Sequence, residues 1–134
     1  MRTHPPVPPD KTLGILLLSG QHEQAHYAFV LASGAAALGR RVVLFATNRG
    51  CHALLADWSG LAEAERDVLI RGRGVAGLET LRAAASELGV RMIVCEAGLR
   101  AEALEKEPLL ADVEVAGVAT FLEAVGEGQF ISVG

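Results

Sequence analysis

The stretch GVRMIVCEAGLRA, residues 89–101, decides the fold of this 134-residue chain. Its first half, residues 90–94, is a mostly apolar run rich in β-branched side chains, typical of a strand buried on both faces of a parallel sheet. Cys95 follows at the strand end, residues 96–98 suit a turn, and residues 99–104 suit a helix. The stretch therefore predicts a thiol at a strand-to-helix junction. Open α/β sheets collect ligands there, and the positive end of a helix favours a thiolate.

The composition indicates one globular domain without a nucleic-acid or membrane partner. About half of the residues are hydrophobic (51%) but only 4% are aromatic, so the core must come from Ala, Val, Leu and Ile. The formal net charge is −4 and no Lys/Arg cluster occurs, which argues against nucleic acid as the main partner. No run reaches the roughly 18 apolar residues of a membrane-spanning helix.

The amino terminus is predicted to be a flexible tail. Residues 1–11 contain four prolines and lack the apolar stretch of a signal peptide, so we expect a single α/β domain over residues 12–134 and a cytoplasmic location. In that compartment the two cysteines are candidates for chemistry or core filling and not for a structural disulfide.

Strand and helix patterns alternate along the chain. This alternation predicts an α/β fold, a three-layer α/β/α domain with a mostly parallel sheet of about five strands, and leaves the strand order open. The predicted strands cover residues 13–18, 42–46, 90–94, 112–115 and 129–133, and the predicted helices cover residues 21–38, 51–56, 78–88, 99–105 and 116–125.

The first helix, residues 21–38, carries apolar side chains nearly all the way round. One sheet contact would not cover them, so this pattern predicts a homo-oligomer. The alternative is that the small alanines and Gly34 merely allow close packing of the helix on the sheet. Residues 57–77 are the least regular stretch, and we expect a lid or an oligomer contact there.

Three turns should meet at the carboxyl edge of a parallel sheet: residues 19–26, 47–52 and 95–100. Cys95 in the last turn has two interpretations. It is a nucleophile or sulfur carrier, whose thiolate Arg100 would favour and Glu96 would oppose, or it is a buried inert thiol.

Histidines at the same edge suggest a proton acceptor or a metal site. His22 and His26 are four residues apart and share a helix face, so either could accept a proton from the thiol or simply be a solvated surface histidine. With Cys51 and Cys95 they also make a nitrogen and sulfur set of the type that zinc accepts, although neither CxxC nor HExxH is present.

A glycine motif offers a nucleotide alternative. Gly72, Gly74 and Gly77 spell GxGxxG after the strand-like residues 67–70 and before a predicted helix, as in a dinucleotide-binding fingerprint. The other interpretation is that these are glycines of a mobile loop. The nucleotide and metal patterns together define an alternative function, a noncatalytic ligand-binding module.

Three segments resemble the DsrE/DsrF-like family of small sulfurtransferases. They are SGQHEQAHYAFVLASGAAALGRRVVLFATNRG (19–50), GLETLRAAASELGVRMIVCEAGLR (77–100) and VEVAGVATFLEAV (113–125). The middle segment is the most specific, because the family's sulfur-carrying cysteine follows a strand that begins with Gly-Val and precedes a helix that often begins near Leu-Arg. Cys95 occupies that place.

The resemblance implies a cytoplasmic sulfur carrier or sulfurtransferase. Members are α/β/α proteins that form assemblies such as homotrimers or homohexamers, and they pass a cysteine persulfide to a TusA-like or rhodanese-like protein. Cys95 would hold the persulfide, the backbone N–H groups of residues 96–99 would stabilise its charge, and no metal or organic cofactor is required. The candidate assisting residues are His22, His26, Glu96, Gly98, Arg100 and Cys51, of which Cys51 would either resolve an intermediate as a disulfide or fill the core.

Overall fold

A computed structural model describes residues 11–134, so most of the predicted Pro-rich tail lies outside the described residues. Five parallel strands form one sheet in the order β4-β3-β2-β1-β5. The strands are β1 (Leu13–Leu17), β2 (Val42–Ala46), β3 (Arg91–Cys95), β4 (Glu114–Ala116) and β5 (Gln129–Val133). The helices are α1 (His22–Ala37), a 3₁₀ helix (Asn48–Leu54), α2 (Arg66–Gly72), α3 (Leu78–Glu87), α4 (Glu96–Ala101) and α5 (Val118–Val125).

The predicted α/β class is confirmed, and the core divides between the two faces of the sheet. The larger cluster joins the sheet to α1, α3 and the 3₁₀ helix. The smaller cluster lies under α5, and its members are Val43, Phe45, Ile93, Cys95, Phe121 and Val125. Cys95 therefore packs on the α5 face.

Close packing of α5 explains a glycine within the first strand. A Cβ atom at Gly14 would overlap the side chain of Val125 and would lie 3.1 Å from Phe121. Phe121 stacks on Phe45 with a distance of 5.0 Å between ring centroids. Glycine in β1 thus lets a short helix approach the sheet closely enough to cover its centre.

Residues 57–77 differ most from their sequence prediction. The predicted strand 67–70 is wrong, because these residues belong to helix α2. The segment is tied to the start of α1, where the N–H of His22 donates to the carbonyl of Ala62 at 2.9 Å and the N–H of Ala62 donates to that of Gly20 at 2.8 Å. Leu61, Asp67 and Ile70 are buried. These contacts argue against a lid.

Helix α4 ends earlier than predicted, at Ala101 and not near residue 105. Ala103 adopts a left-handed conformation with φ of 56°, and the N–H of Leu104 donates to the carbonyl of Leu99 at 2.8 Å. Both leucines belong to the larger core cluster. This is the bond pattern and apolar contact of a Schellman motif, so burial of Leu104 ends the helix although no glycine is present.

Helix α1 packs on the sheet by one face and still leaves apolar residues such as Tyr27 on its exposed side. One face packs on the sheet through Ala25, Ala28, Phe29 and Ala32, while Glu23, Tyr27 and Gly34 are exposed.

Across residues 11–134, no helix is long and apolar enough to cross a membrane.

Candidate functional site

Cys95 is the last residue of β3 and the N-cap of α4. Its Sγ atom accepts a hydrogen bond from the backbone N–H of Gly98 at 3.3 Å. The residue is 8% exposed, so the sulfur lies just beneath the surface at the carboxyl edge of the sheet. An N–H donor favours the thiolate, because it stabilises the charged form of the group that accepts it.

Gly98 lets the turn after β2 pack against α4. A Cβ atom at this position would lie 2.9 Å from Sγ of Cys51, 3.0 Å from the backbone nitrogen of Asn48 and 3.2 Å from Oγ1 of Thr47. The structure therefore brings together the predicted turns 47–52 and 95–100, and the third predicted turn, 19–26, adjoins them because Gly20 packs against Arg49. The glycine is required because its Cα approaches this turn more closely than a residue with a side chain would allow.

Cys51 is fully buried and differs chemically from Cys95. Its Sγ atom contacts the carbonyl oxygen of Ala46 at 3.8 Å, in the geometry of a weak S–H donor. Burial, reinforced by the charges of Cys95 and Glu102, raises the pKa of the Cys51 thiol to about 12. Because a thiolate is the reactive form, Cys51 is a poor nucleophile at neutral pH. Both cysteines are free.

Glu96 and Arg100 pair with each other one helical turn apart. Nη1 of Arg100 donates to Oε1 of Glu96 at 2.8 Å, and both side chains are more than half exposed. The carboxylate therefore offsets the positive charge that Arg100 was expected to supply to Cys95. Such an exposed pair contributes little to stability.

His22 and His26 bond to other parts of the chain. The His22 side chain is fully buried, and its Nε2 atom lies 2.8 Å from Oδ1 of Asp67. Nε2 of His26 donates to the carbonyl of Ala76 at 2.8 Å. Among residues 11–134, the hydrogen-bond partner of the Cys95 sulfur is Gly98 and neither histidine.

Asp67 organises a buried polar cluster that the sequence analysis missed. Besides bonding His22, it accepts hydrogen bonds from the N–H of Leu78 at 2.8 Å and from Nε of Arg71 at 3.0 Å. Burial raises the pKa of the Asp67 carboxyl, but the hydrogen bonds from Leu78, His22 and Arg71 together hold that pKa below its usual value. The cluster joins α1, α2 and the start of α3.

Arg82 is a second polar residue that the sequence analysis missed. It is 1% exposed and donates to the carbonyl oxygens of Ala53, Leu55 and Ala56 at 2.6–3.2 Å. The sequence does carry a signal, because Arg82 interrupts the apolar face that Leu78 and Ala85 define on α3. A charged residue on such a face indicates a buried partner.

Neither ligand-binding alternative finds support in the geometry. Within residues 11–134, no three His, Cys, Asp or Glu side chains group as a metal ion would require, so the proposed zinc set is not assembled. The nucleotide alternative lacks its structural context, because GxGxxG begins at Gly72, the last residue of helix α2, whereas the fingerprint requires a strand before the glycines. Gly77 instead lies against the side chains of Arg71 and Asp67.

Comparison with known proteins adds a family and a fold. The model of the DsrE/DsrF-like family matches residues 11–132. Sulfur carrier protein DsrE2 of Allochromatium vinosum is 29% identical over 151 residues, which span 89% of this chain and 95% of that protein. The uncharacterized protein YrkE of Bacillus subtilis is 28% identical, over 89% and 94% of the two chains.

Two solved structures share the fold at low sequence identity. The ychN protein of E. coli superposes with a TM-score of 0.71 at 12% identity and covers 91% of this chain and 98% of its own. MTH1491 of Methanobacterium thermoautotrophicum, a protein of unknown function, superposes with a TM-score of 0.56 at 18% identity, over 92% and 99% of the two chains.

Proposed function

Since this chain belongs to the DsrE/DsrF-like family, we propose that it is a sulfur carrier that holds sulfur as a persulfide on Cys95 and passes it to a protein partner. Its similarity to the sulfur carrier protein of Allochromatium vinosum supports a role in sulfur metabolism. The observation that carries the assignment to one residue is the hydrogen bond from the N–H of Gly98 to the Cys95 sulfur at the carboxyl edge of the sheet.

The proposed reaction consists of two thiol exchanges. In loading, the Cys95 thiolate attacks the terminal sulfur of a donor persulfide, the donor S–S bond breaks, and the donor leaves as a thiolate. In unloading, an acceptor thiolate attacks the terminal sulfur on Cys95, and Cys95 becomes the leaving thiolate. Neither step requires a metal or an organic cofactor. The Gly98 N–H would stabilise the thiolate that precedes loading and follows unloading.

The environments of the two cysteines support Cys95 as the carrier. Cys95 retains some exposure, whereas Cys51 is fully buried with its pKa raised to about 12. Cys51 is therefore proposed as core filling and not as a resolving thiol. His22 and His26 have no proposed part in the transfer, because each has a hydrogen-bond partner elsewhere.

A homo-oligomer, such as a trimer or hexamer, is part of the proposal. Its support is exposed apolar surface on α1, which includes Tyr27, and on the α5 face of the sheet, where three large apolar side chains are about half exposed: Val118, Leu122 and Phe130. Contiguous apolar surface of this kind is typical of a face covered by another subunit. Light scattering that returns a monomer mass would remove this part of the proposal.

The proposed setting is the cytoplasm, where the free state of both cysteines would be maintained. The proposed partner is a small sulfur-transfer protein, TusA-like or rhodanese-like, that presents its own reactive cysteine.

Intact-mass measurement after incubation with sodium polysulfide tests the carrier function. We expect the wild type and the Cys51→Ala variant to gain one sulfur atom that dithiothreitol removes, and the Cys95→Ser variant to gain none. The Cys51→Ala variant is the matched control, because it also removes one thiol. Equal loading of Cys95→Ser would overturn the assignment.

A further inference from the structure

A cleft of about 310 Å³ opens between α4 and the edge strand β4, and Glu96, the residue after Cys95, lines it. Leu99, Leu109 and Val115 supply its apolar lining. Val115 is 49% exposed, and its neighbour Ala116 pairs with Cys95 in the sheet register. We call this concavity the α4–β4 cleft. It lies at the same edge of the sheet as Cys95, and an apolar side chain of a partner would fit into it.

The rim of the α4–β4 cleft is acidic. Glu96, Arg100, Glu105 and Glu107 line it, and Arg100 is paired with Glu96. Glu105 and Glu107 are exposed, and within residues 11–134 neither forms an ion pair. Two carboxylates on the rim are therefore available to a partner.

The segment that surrounds the cleft holds the whole formal net charge of the chain. Residues 96–114 contain six acidic and two basic residues, a balance of −4. The rest of the chain contains ten acidic and ten basic residues, so its charges cancel. Negative charge is thus concentrated in the sequence that follows Cys95.

We propose that the α4–β4 cleft is the docking surface for a protein with a Lys/Arg-rich face around its own sulfur-bearing cysteine and one apolar side chain that fills the cleft. The inference rests on the proposed function and specifies the chemistry of the partner. Opposite charges on the two faces steer association and set the orientation of the complex.

Two physical arguments favour close docking of a partner and a basic face on that partner. Cys95 is only 8% exposed, so an acceptor sulfur reaches it only when the two proteins are docked closely at this edge. The departing Cys95 thiolate also lies next to the carboxylate-bearing Glu96, and a basic face brought there by docking stabilises that thiolate. Transfer is thereby favoured in the complex over the free carrier.

A second copy of this chain fits the cleft less well. In a twofold-symmetric contact the same patch meets itself, which would place Glu105 and Glu107 near the same residues of the other copy. Like charges brought together in this way oppose association.

Peptide binding tests the docking surface without requiring sulfur loading. One fluorescein-labelled peptide carries a Leu-Ser centre flanked by lysines, and a matched peptide carries glutamates at the same places. With the unloaded wild-type protein at low salt, we expect fluorescence anisotropy to show at least about tenfold tighter binding of the lysine peptide. The difference should largely disappear in about 0.5 M NaCl, because salt screens exposed charges.

Charge reversal tests whether the glutamates on the rim of the cleft cause the preference for the lysine peptide. The double variant Glu105→Lys, Glu107→Lys should lose the preference for the lysine peptide. Glu65→Lys, Glu87→Lys is the matched control, because it changes two exposed glutamates and the net charge by the same amount away from the cleft, and it should retain the preference. Equal binding of both peptides to the wild type, or equal loss in both double variants, would overturn the proposal.

Two further measurements separate this proposal from the proposed function. With cysteine replacing serine in the peptides, sulfur transfer from the loaded protein should show the same preference. Failure of Cys95 to load sulfur would refute the carrier function, whereas the serine peptides would still test the docking surface. If only the Glu105/Glu107 variant changes the mass measured by light scattering, the cleft is instead a contact between copies, and the proposal fails.

Discussion

His22 and Asp67 form a buried pair in which Nε2 and Oδ1 lie 2.8 Å apart and the side chains are 0% and 4% exposed. The pair fastens the first turn of α1 to the segment between the 3₁₀ helix and α3. Asp67 extends this connection, because it also accepts the hydrogen bond from the Leu78 N–H at the start of α3. Three helices on one side of the sheet therefore depend on a single carboxylate.

Substitution of Asp67 by alanine should destabilise the protein strongly. It leaves the buried N–H groups of His22 and Leu78 without an acceptor, at about 1–3 kcal/mol for each buried unsatisfied group. We expect a loss of roughly 2–5 kcal/mol in the free energy of unfolding by urea. Glu87→Ala, at an exposed site on α3, is the control and should change it by less than about 0.5 kcal/mol. Equal effects of the two substitutions would contradict the role of the cluster.

Acid should remove the advantage that Asp67 provides. Its pKa in the folded protein lies below the usual 3.8, so the unfolded chain binds the proton more readily. The stabilisation is therefore fully present above pH 3.8 and is lost as the pH falls through the lower folded value. Urea unfolding at a series of pH values measures the difference in the free energy of unfolding between the wild type and Asp67→Ala. We expect this difference to be constant from pH 7 down to about 5 and to decrease below about pH 4. An increase of this difference on acidification would contradict the expected pH dependence.

Gly98→Ala should destabilise the protein at the site around Cys95, whereas Gly34→Ala should not. The new methyl group at position 98 would lie 2.9 Å from the Cys51 sulfur, and such overpacking costs about 1–3 kcal/mol. At Gly34, on an exposed part of α1, nothing lies within 4 Å of the added atom, so alanine should stabilise the helix by about 0.5–1 kcal/mol. Urea unfolding measures both effects.

Gly98→Ala should also slow the loading of sulfur onto Cys95, because the backbone N–H of residue 98 that donates to the Cys95 sulfur would shift. Combining Gly98→Ala with Cys51→Ala removes the sulfur from the overlap and should recover part of the lost stability. Additive effects of the two substitutions would show that the contact between residues 51 and 98 is not the cause.

Alkylation should distinguish the two cysteines. With iodoacetamide at neutral pH, we expect one adduct in the native wild type, on Cys95, and two adducts in urea. The reason is that Cys51 is fully buried with a pKa near 12 and so presents almost no thiolate. Peptide mapping by mass spectrometry identifies the modified residue. Modification of Cys51 before Cys95 would contradict this order of reactivity.

The sequence allowed the sheet to be predicted better than the segments between its strands. Strands β1 and β2 are continuous apolar runs, so local composition was enough to place them. Helix α2 was missed because it is short and rich in charged residues, and because its stability comes from the pairing of His22 with Asp67 across 45 positions of the chain. A partnership at that separation leaves no local pattern.

The candidate site could likewise be predicted only where its features are local in the sequence. The position of Cys95 between a strand and a helix is local, and the sequence was sufficient to predict it. The approach of Cys51 to Gly98 requires β2 and β3 to be neighbours, and the strand order was not available from the sequence. The end of α4 at Ala101 depends on burial of Leu104, which outweighs the cost of a left-handed alanine at position 103.

Arg82 should support the candidate site from a distance. Its guanidinium donates to the carbonyls of residues 53, 55 and 56 at the carboxyl end of the 3₁₀ helix, and this helix packs against α4. In Arg82→Met these buried acceptors lose their donor while most of the apolar volume is kept. We expect a loss of roughly 2–4 kcal/mol in the free energy of unfolding.

Hydrogen–deuterium exchange shows whether that loss is local. Amide exchange in Arg82→Met should rise over residues 48–56 more than over β1, because the arginine holds that segment in place. Arg73→Met, at an exposed position after α2, is the matched control and should leave both stability and exchange nearly unchanged. If the two variants unfold at the same urea concentration, or if exchange in Arg82→Met rises equally in β1, then Arg82 does not act by fixing the segment beside the site.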